Sequence, residues 1–229
     1  MKTAPALTPI AENLWRLAYP LTILGADLRR NVTVIRLASG RLIIHSSGPF
    51  SAEDIAEIRA LGQPAWLLEG ILRHDTYAHE GRAAFPEVDY LAPDGFSEAV
   101  GFPTRPVLPP PAEWAPQVLA AELALAPYAR EIALLHVPSR TLILTEVVFN
   151  FPGDRSLWLG TILSVVLIGS RHFGMSRAVK FTIKDRTAFA ASLEKIMAWD
   201  FDRIIVGHGD LIETGGKEKL RAAFAAAGF

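Results

Sequence analysis

Cysteine is absent from the 229 residues, and with it go disulfides, thiolate metal sites and cysteine nucleophiles. Any metal must then be held by imidazole, carboxylate or water. Net charge is nearly absent as well. The 23 basic and 24 acidic side chains leave −1, which gives no electrostatic basis for binding nucleic acid or an anionic membrane surface. The longest apolar run, LWLGTILSVVLIG at 157–169, is shorter than the ~20 residues a bilayer span needs. It reads as a buried helix, a lid over a cleft, or the contact face of a homodimer. The opening MKTAPALTPIAENLW lacks the unbroken apolar stretch of a secretory signal, so a cytoplasmic location is expected. There is also no Gly-x-Ser-x-Gly elbow, no Walker-type loop and no Gly-x-Gly-x-x-Gly after a strand. Those absences argue against common serine hydrolases and against nucleotide cofactors held by such loops.

Half of the residues are apolar and 21% are charged, the balance of a chain that folds around a core rather than staying disordered. The length suits one domain over residues 1–229. NVTVIRLASGRLIIHS at 31–46 predicts a hairpin turning at Ala38-Ser39-Gly40. Ser51 then caps a helix in which Ile55, Ile58 and Leu61 share a face and Gly62 is the stop. AWLLEGI reads as a buried strand, which places RHDTYAHEGRAAFP, residues 73–86, just past its carboxyl end. Ligands commonly bind there in α/β folds. HEGRAAF predicts a short helix ended by Pro86, and VDYLA a strand before the Pro93-Asp94-Gly95 turn. FPTRPVLPPPAEWAP is too proline-dense for regular structure over most of its length and reads as a surface crossover. EIALLHVPSRTLILTE predicts a second hairpin, with His136 in its turn region. RTAFAASLEKIMAW sets Phe189, Leu193, Ile196 and Met197 on one helical face; DRIIVGHGD is strand then glycine-rich turn, and KEKLRAAFAAAGF a last amphipathic helix.

Two β-rich halves, each with helices, imply an α/β (α+β) sandwich with both sheets inside and helices outside. Four stretches in this order resemble the metallo-β-lactamase fold superfamily. They are the opening hairpin, the AHEG of residues 78–81 as the end of a histidine motif, TLILTEVVFN as a strand ending in a bridging acid, and IIVGHGD as a Gly-His-Gly turn. The resemblance implies a four-layer αβ/βα sandwich, and it is to an uncharacterised branch sharing the Ser-Arg-Thr-Leu run before the acid. The family's His-x-His-x-Asp-His motif, laid back from its last histidine, falls on His74, Thr76, Ala78 and His79, so two ligand positions are missing. ALAPYAREIALL, where the family has a further histidine, contains none.

What the resemblance leaves as ligands is His74, His79, Glu146 and His208. Three imidazoles and a carboxylate suit at most one zinc, iron or manganese ion; a protein with no ion at all is equally compatible. Each residue has an alternative role: His74 as a solvated loop residue, His79 as a helix cap or packing group, Glu146 as an acceptor for backbone amides, His208 as part of a turn. Asp75 and Tyr77 are out of phase with the missing ligands, although a rearranged loop could bring Asp75 in. His45 occupies a position with a supporting role, and His172 could approach the cleft. Arg171, Arg177, Lys180, Lys184 and Arg186 read as solvated surface or as contacts for an anionic substrate. The expected function is a metallo-hydrolase-like protein acting on an ester, amide or phosphodiester. The alternative is a non-catalytic relative that binds a small molecule or a protein partner, and redox chemistry at a single iron would use the same residues.

Overall fold

The computed structural model describes residues 7–23, 26–72, 74–126, 130–151 and 172–229; the apolar run at 157–169 and Arg171 lie outside them. The chain opens with β1 (Thr8–Ala11) and β2 (Leu14–Tyr19), then a short ribbon of β3 (Thr22–Ile23) and β4 (Ala26–Asp27). The first predicted hairpin follows as β5 (Arg30–Arg36) and β6 (Arg41–His45), in antiparallel register from Thr33 opposite His45 to Arg36 opposite Leu42. Helix α1 (Ala52–Leu61) starts at a full capping box: the Asp54 amide donates to the Ser51 hydroxyl, and the Asp54 carboxylate accepts from the Ser51 amide. It returns the chain to β7 (Gln63–Leu68), parallel to β6. Helix α2 (Ala78–Ala84) leads to β8 (Asp89–Ala92), and a further one-turn helix α3 (Phe96–Val100) leads to the short edge strand β9 (Arg105–Pro106). The sheet runs β1-β2-β5-β6-β7-β8-β9, antiparallel at one end and parallel from β6 onward.

A second sheet has the order β10-β11-β12-β15, from β10 (Val118–Leu123), β11 (Glu131–His136), β12 (Thr141–Ile143) and β15 (Arg203–Ile205). Strands β13 (Val148–Asn150) and β14 (Phe173–Met175) pair separately. Helices α4 (Arg177–Thr182), α5 (Arg186–Met197) and α6 (Gly216–Ala226) complete the described elements.

Side-chain alternation along the strands builds three apolar layers from these pieces. Ile35 and Ile43 of the first sheet meet Ile132, Leu134, Ile143 and Ile205 of the second, so the two sheets pack face to face. The alternate positions Val34, Leu42 and Ile44 face Ile58 of α1, Phe85 after α2 and Phe96 of α3. On the far side Ala133, Leu135 and Leu142 face Phe189 and Ile196 of α5 and Leu220 and Phe224 of α6. The result is the expected four-layer order, helices, sheet, sheet, helices.

Two expectations are corrected. The proline-dense stretch is not confined to the surface: Trp114, fully buried, and Val107 enter the layer between the sheets, where the Trp114 ring meets Trp66 edge-on at 5.9 Å. The Pro93-Asp94-Gly95 turn forms as expected and leads straight into α3, where Phe96 and Val100 bury one face of a single helical turn. His136 is not in the hairpin turn; it is the last residue of β11, paired with Thr141 and buried, with Nδ1 2.7 Å from the Ser139 hydroxyl.

Candidate metal centre

The carboxyl ends of the strands bring three predicted residues together. Within His74, Glu146 and His208, one ligand atom from each lies within 4.8 Å of the others, the only such group of histidines and acids among the described residues. His74 follows β7; its amide donates to the Ile71 carbonyl. Glu146 sits in the loop between β12 and β13, and His208 in the turn after β15.

Each side chain is held from behind. Glu69, fully buried at the end of the apolar β7 run, lies 3.2 Å from His74 Nδ1, and the Ser46 hydroxyl is 3.3 Å away. The Glu69 carboxylate also accepts from the Ser47 amide at 2.7 Å and from the Tyr90 hydroxyl at 3.2 Å. A carboxylate on Nδ1 fixes the tautomer with its proton there and leaves Nε2 as a lone pair. His74 Nε2 is 3.5 Å from Glu146 Oε1 and, although buried, has no hydrogen-bond partner.

The backbone does the same for His208. Its Nδ1 lies 2.6 Å from the Arg29 carbonyl, which can only accept, so Nδ1 carries a proton there, while Nε2 lies 2.7 Å from Glu146 Oε1, within hydrogen-bonding distance. The turn is tied down by Asn31, whose side-chain amide donates to the carbonyls of Val206 and Gly209 at 2.7 and 2.9 Å. Gly209 has φ +100°, and a Cβ there would stand 1.8 Å from the Asn150 carbonyl oxygen; at Gly207 it would stand 2.3 Å from that of Thr145. Only glycine allows this turn to approach the neighbouring loop so closely. The His208 ring also packs edge-on to Phe149, at 5.3 Å.

Glu146 is presented by a second buried acid. Both oxygens of Glu131 accept backbone amides of its loop, from Thr145 at 2.8 Å and from Glu146 at 3.0 Å. Burial pushes the Glu131 carboxyl up to about 8, against the pull of these amide donors. For Glu146 burial also acts upward, but the His208 imidazole, then His74 and Arg30, outweigh it and hold the carboxyl below its ordinary range. Burial, reinforced by the charge of Arg30, drives His74 well below the usual imidazole range.

His79 does not join this group. It is exposed on α2 with its ring against Phe102, 5.3 Å between centroids. One helical turn separates it from the loop carrying His74, and the helix directs it toward the 96–102 segment. The expected four-residue set is therefore three here, and His79 packs, as its alternative role required. Asp75 and Thr76 are exposed. His45 is buried behind the cluster, with Nε2 3.4 Å from the Thr145 hydroxyl. His172, Arg177, Lys184 and Arg186 are on the surface and Lys180 is half-buried.

Arg30, Glu69 and Glu131 are the polar residues of the site that the sequence reading passed over. A signal existed for one of them. Glu69 is the only charge in AWLLEGI, and a charge inside a buried run needs a partner. Arg30 opens its strand as a surface residue would, and Glu131 opens β11 in the same way, so neither is marked by pattern.

No protein-family model matches the sequence, and no curated protein matches it. Solved structures do match in fold. VMB-1 is 10% identical, with both chains covered in full and a TM-score of 0.65. A metallo-β-lactamase from Erythrobacter litoralis is 13% identical, covering 100% of this chain and 99% of its own, with a TM-score of 0.62. The metallo-β-lactamase FIM-1 from Pseudomonas aeruginosa, in a mono-zinc form, is 11% identical, covering 99% and 96%, with a TM-score of 0.61. The chain has the metallo-β-lactamase fold, and a His/Glu/His cluster lies at the ends of its strands. No helix among the described residues is long and apolar enough to cross a membrane.

Proposed function

We propose that this protein is a metal-dependent hydrolase that holds at most one divalent ion, through Nε2 of His74, Nε2 of His208 and the Glu146 carboxylate. The observation that carries the reading is the convergence of His74 Nε2, His208 Nε2 and the Glu146 carboxylate on one point, with His74 Nε2 buried and without a hydrogen-bond partner. Nδ1 of each imidazole is engaged from outside the cluster, by Glu69 and by the Arg29 carbonyl, which leaves the two Nε2 atoms and the carboxylate to a cation.

Two histidines and a glutamate form a known catalytic zinc donor set, in which the fourth position is left for water. Held by these three residues, a zinc ion would supply Lewis-acid activation of water for the hydrolysis of an ester, amide or phosphodiester. The chain's own part is to fix the ligands: Glu69 and the Arg29 carbonyl hold the imidazole tautomers, and Glu131 holds the loop of Glu146. The same two-histidine, one-carboxylate set also suits iron, so redox chemistry at a single iron is the second reading, favoured by the donor set alone.

Elemental analysis after mild purification, or after incubation with zinc, iron or manganese, is expected to give no more than one ion per chain. That ion should be lost in His208→Ala. Two tightly held ions would show that the ligands are wrongly assigned. None under any of these conditions would leave the non-catalytic role, binding a small molecule or a partner in the same hollow.

A further inference from the structure

We propose that the hollow between β14, α4 and α6 is a binding site for a small anionic amphiphile, an apolar tail ending in an anionic head such as a carboxylate. The inference goes beyond the metal centre and does not rest on it, since the two share no residue. The hollow has a volume of about 480 Å³, inside the ~300–1,000 Å³ usual for small-molecule pockets. Strand β14 contributes Phe173 and the buried Met175 to its wall. The rest of the apolar lining is a face of α6: Lys219, Ala222, Ala223 and Ala226 stand at i, i+3, i+4 and i+7, so they share one side of the helix. Larger apolar side chains at the alanine positions would fill the space, as Leu220 and Phe224 do on the neighbouring core face. Alanine keeps it open and offers methyl groups to a tail.

Every charged side chain lining the hollow is a cation: Arg177 and Lys180 from α4, and Lys219 from α6. The whole sequence carries 23 basic and 24 acidic side chains, so a cationic hollow with no acid in its lining is a local arrangement. Among the described residues, no hydrogen bond or ion pair engages the ammonium group of Lys180 or of Lys219. Lys219 is exposed and Lys180 half-buried, whereas Met175 and Ala223 are buried, which puts charge at the mouth and apolar surface on the floor. Lysine suits such a rim, because its stem lies along apolar surface while its charge stays near water. Inorganic phosphate alone would leave the floor uncovered, and a neutral hydrocarbon would leave the ammonium groups without countercharge. One molecule with a head and a tail meets both requirements.

The probe is decanoate, titrated calorimetrically into the full chain below its micellar range, with a chelator present so that no contact between carboxylate and metal is read. One decanoate per chain is expected, bound more weakly as salt is added. The double variant Lys180→Glu, Lys219→Glu should bind about tenfold more weakly, the order set by reversing two exposed charge pairs. Ala226→Trp fills the hollow and leaves its charge unchanged; it should abolish binding, and as an exposed residue in the last turn of α6 it should leave the fold intact. Circular dichroism checks both variants. Decanol, which lacks the charge, should bind about tenfold more weakly than decanoate, and inorganic phosphate, which lacks the tail, more weakly still. Absence of saturable decanoate binding overturns the proposal, as does equal binding of decanol or of inorganic phosphate, or undiminished binding in Ala226→Trp. Should the double lysine variant fail to fold, the salt dependence and the decanol comparison decide the ionic part. None of these outcomes bears on the number of metal ions bound, so failure here is distinct from failure of the one-ion reading.

Discussion

A histidine with both ring nitrogens inside a protein must find a partner for each, and His74 finds one for Nδ1 only. Glu69 fixes which nitrogen stays bare, so its removal should be felt at the metal rather than at the backbone. Glu69→Gln is expected to weaken zinc or manganese binding by about 10- to 100-fold, measured by chelator competition. His45 makes a different prediction. Burial, partly opposed by Glu69 and reinforced by Arg30, lowers it to about 4. Between its unfolded value near 6.5 and about 4, the unfolded chain binds the extra proton, so stability falls as the pH falls through that window. The loss at pH 5 is about 2 kcal/mol. Denaturant melts of the protein and of His45→Gln, taken at pH 7 and pH 5, should differ in pH dependence by about this amount.

At the scale of elements, the turns decide more than the strands. The Gly-His-Gly turn fits because residue 209 takes a left-handed backbone with no Cβ. Gly209→Ala should cost about 1–3 kcal/mol in strain alone, and more from its clash with Asn150, with metal binding lost as His208 shifts. Ser51→Ala removes half of a capping box on the opposite side of the first sheet; it should cost about 1 kcal/mol and leave metal binding unchanged. Thermal melts with and without zinc separate the two.

The same scale shows what was legible in the sequence. Ser51, Gly62 and the apolar spacing of residues 55–61 marked α1 unambiguously, and both hairpins were readable from alternation. Glu146 and His208 could be found because each ends a strand at a recognisable motif. His79 was misplaced because motif spacing cannot tell which way a short helix turns its side chains. Arg30 and Glu131 carried no pattern at all: their roles come from contacts with Ser47, His74, Thr145 and Glu146, set by the pairing of distant strands.

For the whole molecule, the proline-dense stretch supplies the fully buried Trp114 to the layer between the sheets. Trp114→Ala should cost about 3–5 kcal/mol, read as a lowered denaturant midpoint. The metal centre should survive it, since Trp114 packs against Trp66 in the apolar layer between the sheets. The failure to read this residue as core has a plain cause: proline forbids regular hydrogen bonding but says nothing about whether the neighbouring side chains are buried.

The Arg29 carbonyl reaches His208 across 179 positions of sequence, and Asn31 reaches Gly209 across 178. His74 thus belongs to the first sheet's half of the chain, while Glu146 and His208 belong to the second. Two polypeptides made by cutting between residues 93 and 117 would each carry an incomplete donor set, and neither could chelate alone. Chelation would then signal that the fragments had found each other, so the centre could serve as a reporter of reassembly.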